Sequence, residues 1–252
     1  MPKGSPMIRP RFSALAGFAA YALLHTGCGG RSVTGQHPLT NNLDPAFATV
    51  KPQTLAALPF WSDISEQDDP DKVAASMAES KFFRALLATP TGYTVQPSSE
   101  VALALERDGL KTKLDNFYKN WTSDQEDVDE GFLRQVASAM KADGVVVGVV
   151  DVWAQHPVDL SQTGTARTEM GLLIGLFDGT TGKRLWLGRD ENYREALRYT
   201  GAEAGNVGAQ QSQRSMERTN LRTATGAYGP PDYGEVVDSV VLPLVRAFPK
   251  PR

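Results

Sequence analysis

The chain has 252 residues, of which 41% are apolar and 22% charged, with 26 Lys and Arg against 29 Asp and Glu. That apolar share suits one globular domain of roughly 150–200 residues with a sizeable core. The first 27 residues contain Lys3, Arg9 and Arg11 and no acidic residue. The rest therefore carries a formal charge of −6, which excludes the basic footprint of a nucleic-acid partner or a polybasic membrane contact.

Residues 1–27 read as a secretory signal rather than as part of the fold. A basic start precedes the apolar run Ala14 to Leu24 (ALAGFAAYALL), and the small residues Thr26-Gly27 follow it. The run is about half the ~20 residues that span a bilayer. Cys28 is the one cysteine of the chain, so no internal disulfide forms. A lone cysteine placed here and followed by Gly29-Gly30 resembles the lipobox of bacterial lipoproteins, although His25 stands where that motif carries leucine. The resemblance implies cleavage before Cys28, acylation of its thiol and retention at the periplasmic face of the outer membrane. An ordinary secretory signal with an incidental cysteine is the alternative.

Residues 28–52 are rich in Gly, Ser, Thr, Asn and Pro and are expected to form a flexible tether. Residues 53–252 then read as an α/β domain. Thr54 to Phe60 (TLAALPF) is a short apolar strand, followed by an acidic loop. Asp69 reads as an N-cap with Pro70 at the first position of a helix that runs to Ala88 and buries Val73, Met77, Phe82 and Leu86. Tyr93 to Gln96 is a second strand, and Ser98 caps a helix through Leu105. Lys111 to Glu130 is a polar stretch with three aromatics, Phe117, Tyr118 and Trp121, and its pattern assigns no element.

Glu130 to Ala142 has apolar residues at helical spacing, and the β-branched run Val145 to Val152 reads as a strand buried on both faces. Glu169–Phe177 and Lys183–Leu187 form a hairpin around Asp178-Gly179-Thr180-Thr181-Gly182. On its first strand Met170, Leu172, Ile174 and Leu176 share one face. Gly171, Leu173, Gly175 and Phe177 share the other, where the glycines admit a close approach by a helix. A helix is expected from Arg189 to Tyr199, a polar loop over 200–230, and a closing helix from Gly234 to Phe248 with a kink at Pro243.

The order of these pieces resembles a family of periplasmic lipoprotein domains that includes the curli-secretion lipoprotein CsgG and the N-terminal domain of TolB. The resemblance rests on TLAALPF, VQPSSEV, MKADGVVVGVV and LLIGLFDGTTGKRLW, spanning about Leu55 to Leu187. It implies a mixed-sheet α/β sandwich with helices packed on the sheet, and a role in binding, assembly or transport rather than catalysis. The pore-forming strands of CsgG are not carried over. Neither Gln155–Thr168 nor Thr200–Tyr228 shows the apolar/polar alternation that a lipid-facing strand needs.

Catalytic motifs are missing. His37 and His156 are the histidines left after the signal, and no HExxH, GxSxG or paired-cysteine spacing occurs, so neither a catalytic site, a metal centre nor a cofactor is expected. Gly179–Lys183 lacks both the first glycine and the hydroxyl of a phosphate-binding loop. The carboxylates Asp63, Glu66, Asp68, Asp69 and Asp71 fit a helix start better than a calcium loop. Trp186, between Leu185 and Leu187, belongs in the core. Trp61, Trp121 and Trp153 are the candidate partner contacts, two of them just beyond strand ends where loops present side chains. The partners expected are the membrane, through Cys28, and an envelope protein or a second copy of the chain.

Overall fold

The computed structural model describes residues 34–36, 39–123, 128–157, 166–196 and 230–251. The chain divides into two compact units, residues 1–30 and 31–252, and all described residues belong to the second. Cys28, His37, the signal segment and the stretch 200–229 lie outside the described residues.

In chain order the elements are β1 (Thr34–Gln36), β2 (Thr40–Leu43), α1 (Phe47–Val50), β3 (Thr54–Ala57), β4 (Trp61–Ser62), α2 (Ala74–Ala88), β5 (Thr94–Gln96), α3 (Ser98–Arg107), α4 (Lys111–Ser123), α5 (Glu130–Met140), β6 (Gly144–His156), β7 (Arg167–Asp178), β8 (Arg184–Glu195) and α6 (Tyr233–Ala247). The eight strands form one mixed sheet in the order β1-β8-β7-β6-β3-β5, with β2 also on β8 and β4 also on β6. Strands β5, β3 and β6 run parallel, while β6, β7, β8 and the two N-terminal strands are antiparallel.

The expected α/β sandwich is therefore the fold, and its sheet separates two apolar clusters. Val146, Val150, Met170, Leu172, Ile174 and Leu176 face α2 and α6. Val145, Val147, Val149, Leu173 and Phe177 face α3, α4 and α5. The valine run of β6 is buried on both faces, as its unbroken apolar pattern demands. On β7 the even and odd residues divide between the clusters as expected, and at Gly175 an added Cβ would come within 3.2 Å of Trp121 Cζ2. The close helix approach read from that glycine is thus the packing of α4.

Two bulges break the alternation. Between Val150 and Val152 the register of β6 shifts, leaving Asp151 as the extra residue, so Trp153 turns to the same face as Val150. A second shift lets Leu185 and Trp186 both enter the first cluster. Trp186 is buried there, its Nε1 donating to Asn41 Oδ1 at 2.6 Å.

Several sequence-based expectations are corrected. A tether does not extend through the expected range 28–52: Thr34–Gln36 and Thr40–Leu43 pair with β8, and Phe47 is buried. These strands satisfy backbone groups on the outer edge of β8, a need that composition does not announce. Of the helix expected over Arg189–Tyr199, Arg189 to Glu195 is instead the far half of β8, and residues 197–199 lie outside the described residues. Polar residues on both of its faces hid the strand period. Asp69 does cap, its carboxylate accepting from Val73 N at 2.9 Å and Ala74 N at 3.1 Å, but α2 starts only after the turn that it caps, and Val73 is exposed. Ser98 is the first residue of α3 rather than its cap, and its hydroxyl bonds Glu79. Lys111–Ser123 is helical, with Phe117, Tyr118 and Trp121 aligned into the second cluster.

Gly182 occupies the hairpin turn at φ +79°, and a Cβ there would collide with the Glu130 carbonyl. Gly182→Ala is expected to cost about 2–4 kcal/mol, combining left-handed strain with the overlap; denaturant unfolding measures it. Burial raises the phenol pKa values of Tyr93 and Tyr118, and raises that of Tyr233 to about 12 with help from Asp69 and Asp68. A phenol held neutral in the fold contributes stability that is whole below its unfolded pKa near 10 and is lost as pH climbs toward the folded value. Absorbance at 295 nm should therefore show these three tyrosines ionising late and together with loss of the circular dichroism signal. Their ionisation around pH 10 in a folded chain would contradict this burial.

Candidate interface on the ion-paired half of the sheet

Of the three candidate contact tryptophans, two are structural. Trp121 is fully buried, between Phe117 and Phe177. Trp153 is 3% exposed and stacks on Tyr233 with ring centroids 3.8 Å apart and planes 1° from parallel. Trp121 was misread because the helix carrying it has a polar majority, and Trp153 because the bulge at Asp151 reverses its face. Trp61 is half-buried and stacks on Tyr118 at 5.4 Å. The structure does not bring the three together: Trp153 lies in the first cluster, while Trp121 and Trp61 belong to the second.

Open α/β sheets take small ligands in the crevice beyond the carboxyl ends of neighbouring parallel strands whose connections leave on opposite faces. Here those strands are β3, which leads to α2, and β5, which leads to α3. The crevice is filled from within. Glu79 of α2 accepts from Phe60 N at 2.9 Å through one carboxylate oxygen and from Ser98 Oγ through the other. Tyr118 Oη donates to Pro59 O at 2.6 Å beside it. Burial, with the Glu79 charge, pushes the Tyr118 phenol well above its ordinary pKa. These groups are consumed in joining the two helical layers.

A groove of about 540 Å³ lies elsewhere, lined by Asp108, Leu110, Gly131, Arg134, Gln135, Ser138 and Ala139, and it contains no paired nucleophile and base. No cluster of three or more His, Cys, Asp or Glu disposed to hold a metal ion occurs among the described residues. The acidic stretch before α2 spends Asp69 on the helix amides and Asp68 on Ser65 Oγ at 2.6 Å.

The most unusual surface is the far half of the β6–β7–β8 sheet. The second cluster reaches Val149, Leu173 and Leu187 and stops. Beyond them, on the same face, the cross-strand partners are charged: Arg189 lies opposite Leu173, Glu191 opposite Gly171, and Tyr193 opposite Glu169. Arg189 Nε donates to Asp151 Oδ2 and its Nη2 to Glu191 Oε2, each at 2.7 Å. Farther along, Glu169 accepts from Arg167 at 2.8 Å and pairs with His156 Nε2 at 3.1 Å, and the Arg167 guanidinium lies 5.8 Å from the centroid of the Tyr193 ring.

Two local features build this network. The bulge offers Asp151 as an extra side chain, and Gly171, with no side chain on the intervening strand, lets its carboxylate lean across to β8. A Cβ on Gly171 would strike Asp151 Oδ1, an atom that is buried without a hydrogen-bond partner among the described residues. Burial works against the Arg189 charge, yet the hydrogen bonds and charges of Asp151 and Glu191 outweigh it and hold the guanidinium pKa above its usual value. Sequence reading missed these residues. The signal was the two-residue spacing of Arg189, Glu191, Tyr193 and Glu195 directly after an apolar strand.

Arg189→Met should leave two half-buried carboxylates without their shared cation. It is expected to cost about 1–2 kcal/mol, between the values of exposed and buried pairs. Urea unfolding of Arg189→Met beside Asp151→Asn/Glu191→Gln/Arg189→Met should show the triple variant recovering part of the loss.

No family model matches the chain, and no curated protein matches it. Among solved structures it is similar to the PelC dodecamer from Paraburkholderia phytofirmans, at 13% identity and a TM-score of 0.43, over 83% of this chain and 95% of that one. It is also similar to lipoprotein GNA1162 from Neisseria meningitidis, at 15% identity and a TM-score of 0.40, over 69% of this chain and all of that one. A third is the LpoB C-terminal domain from Salmonella enterica, at 15% identity and a TM-score of 0.32, over 55% of this chain and 81% of that one. No residue role is transferred from them, and the resemblance to the CsgG and TolB group rests on the sequence motifs.

Proposed function

We propose that this chain is a non-catalytic lipoprotein, anchored through acylated Cys28 at the periplasmic face of the outer membrane, whose α/β domain binds a protein of the cell envelope. The observation that carries the binding role is the sheet surface around Arg189. Its side chains come from three strands and form a band of ion pairs to which no described helix contributes. A flat surface of paired charges on a rigid sheet suits a protein face, where charge complementarity sets register and partner choice. The crevice that would serve a small substrate is meanwhile filled by Glu79. The signal-like N-terminus, the lone cysteine after it and the acidic domain support the location.

A second reading is an oligomeric secretion component or an accessory subunit of an envelope transporter. It is favoured by β2, whose four residues are all exposed and which pairs among the described residues with β8 alone. An open edge of this kind can take a strand from a second copy.

The test combines both parts of the proposal. Intact mass and membrane fractionation of the native chain and of Cys28→Ser should show a diacyl or triacyl N-terminus on the first and release of the second. A photo-crosslinker at Tyr193 should then trap one discrete partner, and trapping should be lost with Asp151→Lys/Glu191→Lys. An unacylated soluble native chain removes the anchor. Crosslinks unchanged by charge reversal remove the surface, and crosslinks solely between copies of this chain favour the oligomer.

A further inference from the structure

The N-terminal strand fixes where the chain joins the fold. Thr34 of β1 pairs with Arg194, next to the last residue of β8. The same end of the sheet holds the pair His156–Arg167, which closes β6 against β7, and Pro231, whose carbonyl accepts from Gln155 and Thr168. The opposite end carries Gly144 and the turn from Asp178 to Gly182. Strand β6 has 13 residues, so the two ends stand about 40 Å apart.

Five residues lie between Cys28 and Thr34, and the six steps of chain reach about 20 Å when extended. A tether running to residue 52 would reach roughly 80 Å. The leash is thus about half as long as the sheet. The chain after residue 27 carries a formal charge of −6, which disfavours laying its length on an anionic bilayer.

We infer that the lipid surface is the neighbour of the sheet end formed by Thr34, His156, Arg167 and Glu195, and that the Asp178–Gly182 end points away from the membrane. This rests on the acylation of Cys28 proposed above. It assigns the chain a fixed polarity rather than a free search volume, and it keeps the ion-paired band within reach of the headgroups.

The experiment uses the full acylated chain in phosphatidylcholine–phosphatidylglycerol vesicles that contain a headgroup nitroxide lipid. Acylation consumes the native thiol, so a dye reports a single introduced cysteine, Pro157→Cys at the near end or Lys183→Cys at the far end, both at exposed positions. The expected result is loss of fluorescence at position 157 and little loss at 183. A Gly/Ser insertion of about 20 residues between Arg31 and Ser32, adding roughly 25 Å of mean reach, should erase the difference. Arg167→Cys provides a second near-end position if Pro157→Cys does not fold. Equal quenching at both ends of a chain that floats with the vesicles, or a difference that survives the insertion, overturns the orientation and leaves the anchor standing. A chain without acyl mass that does not float overturns the anchor and the orientation with it.

Discussion

The fold depends on the antiparallel ladder of β6, β7 and β8. A strand has a period of two, so a single register decides which residues enter which of two cores, and a slip of one residue would exchange them. The pairing Val146–Leu176, Val147–Gly175, Val149–Leu173 sorts large side chains to both faces at one end of the sheet. It also sets Gly175 under Trp121. The two helical layers are stable because this sorting is unambiguous, and the turn at Asp178–Gly182 holds the register at its closed end. Asp178 there accepts from Thr180 N and from the Thr181 hydroxyl.

Much of that half was legible in the sequence. The valine run, the alternation of Met170 to Phe177 and the turn residues each have one physical reading, and the structure follows it. The far half was not, because burial is unequal there. One face is dry under α6, where Asp190 and Asn192 are themselves buried, and the other carries salt bridges. With polar residues on both faces, Arg189 to Glu195 has no hydrophobic period to announce a strand. The bulge at Asp151 is equally silent, since one added residue leaves no compositional trace yet turns Trp153 inward. The N-terminal strands escaped for a related reason. Thr40 to Leu43 is all exposed and is held by backbone hydrogen bonds, which any sequence can make, and by the Asn41 side chain on the Trp186 indole.

The same unequal burial shapes the functional reading. In the covered half, polar groups are absorbed by the packing of the layers, as Glu79 and Tyr118 are between Phe60, Pro59 and Ser98. In the other half they are joined to each other across strands. A sheet face of that composition is held by three strands, and on the proposed binding role a partner would have to match its alternating pattern of charge. It also resists unwanted pairing, since charges on an open sheet discourage stacking against other sheets.

The C-terminus closes the first cluster. Phe248 packs against Phe82, Tyr93 and Trp186, and Tyr93 Oη donates to Pro249 O at 2.8 Å, so the chain's last residues complete a core that begins near residue 47. That core closes only when segments far apart in the sequence have met. A cut in the backbone between them would therefore leave the two parts of the domain held together without a covalent link.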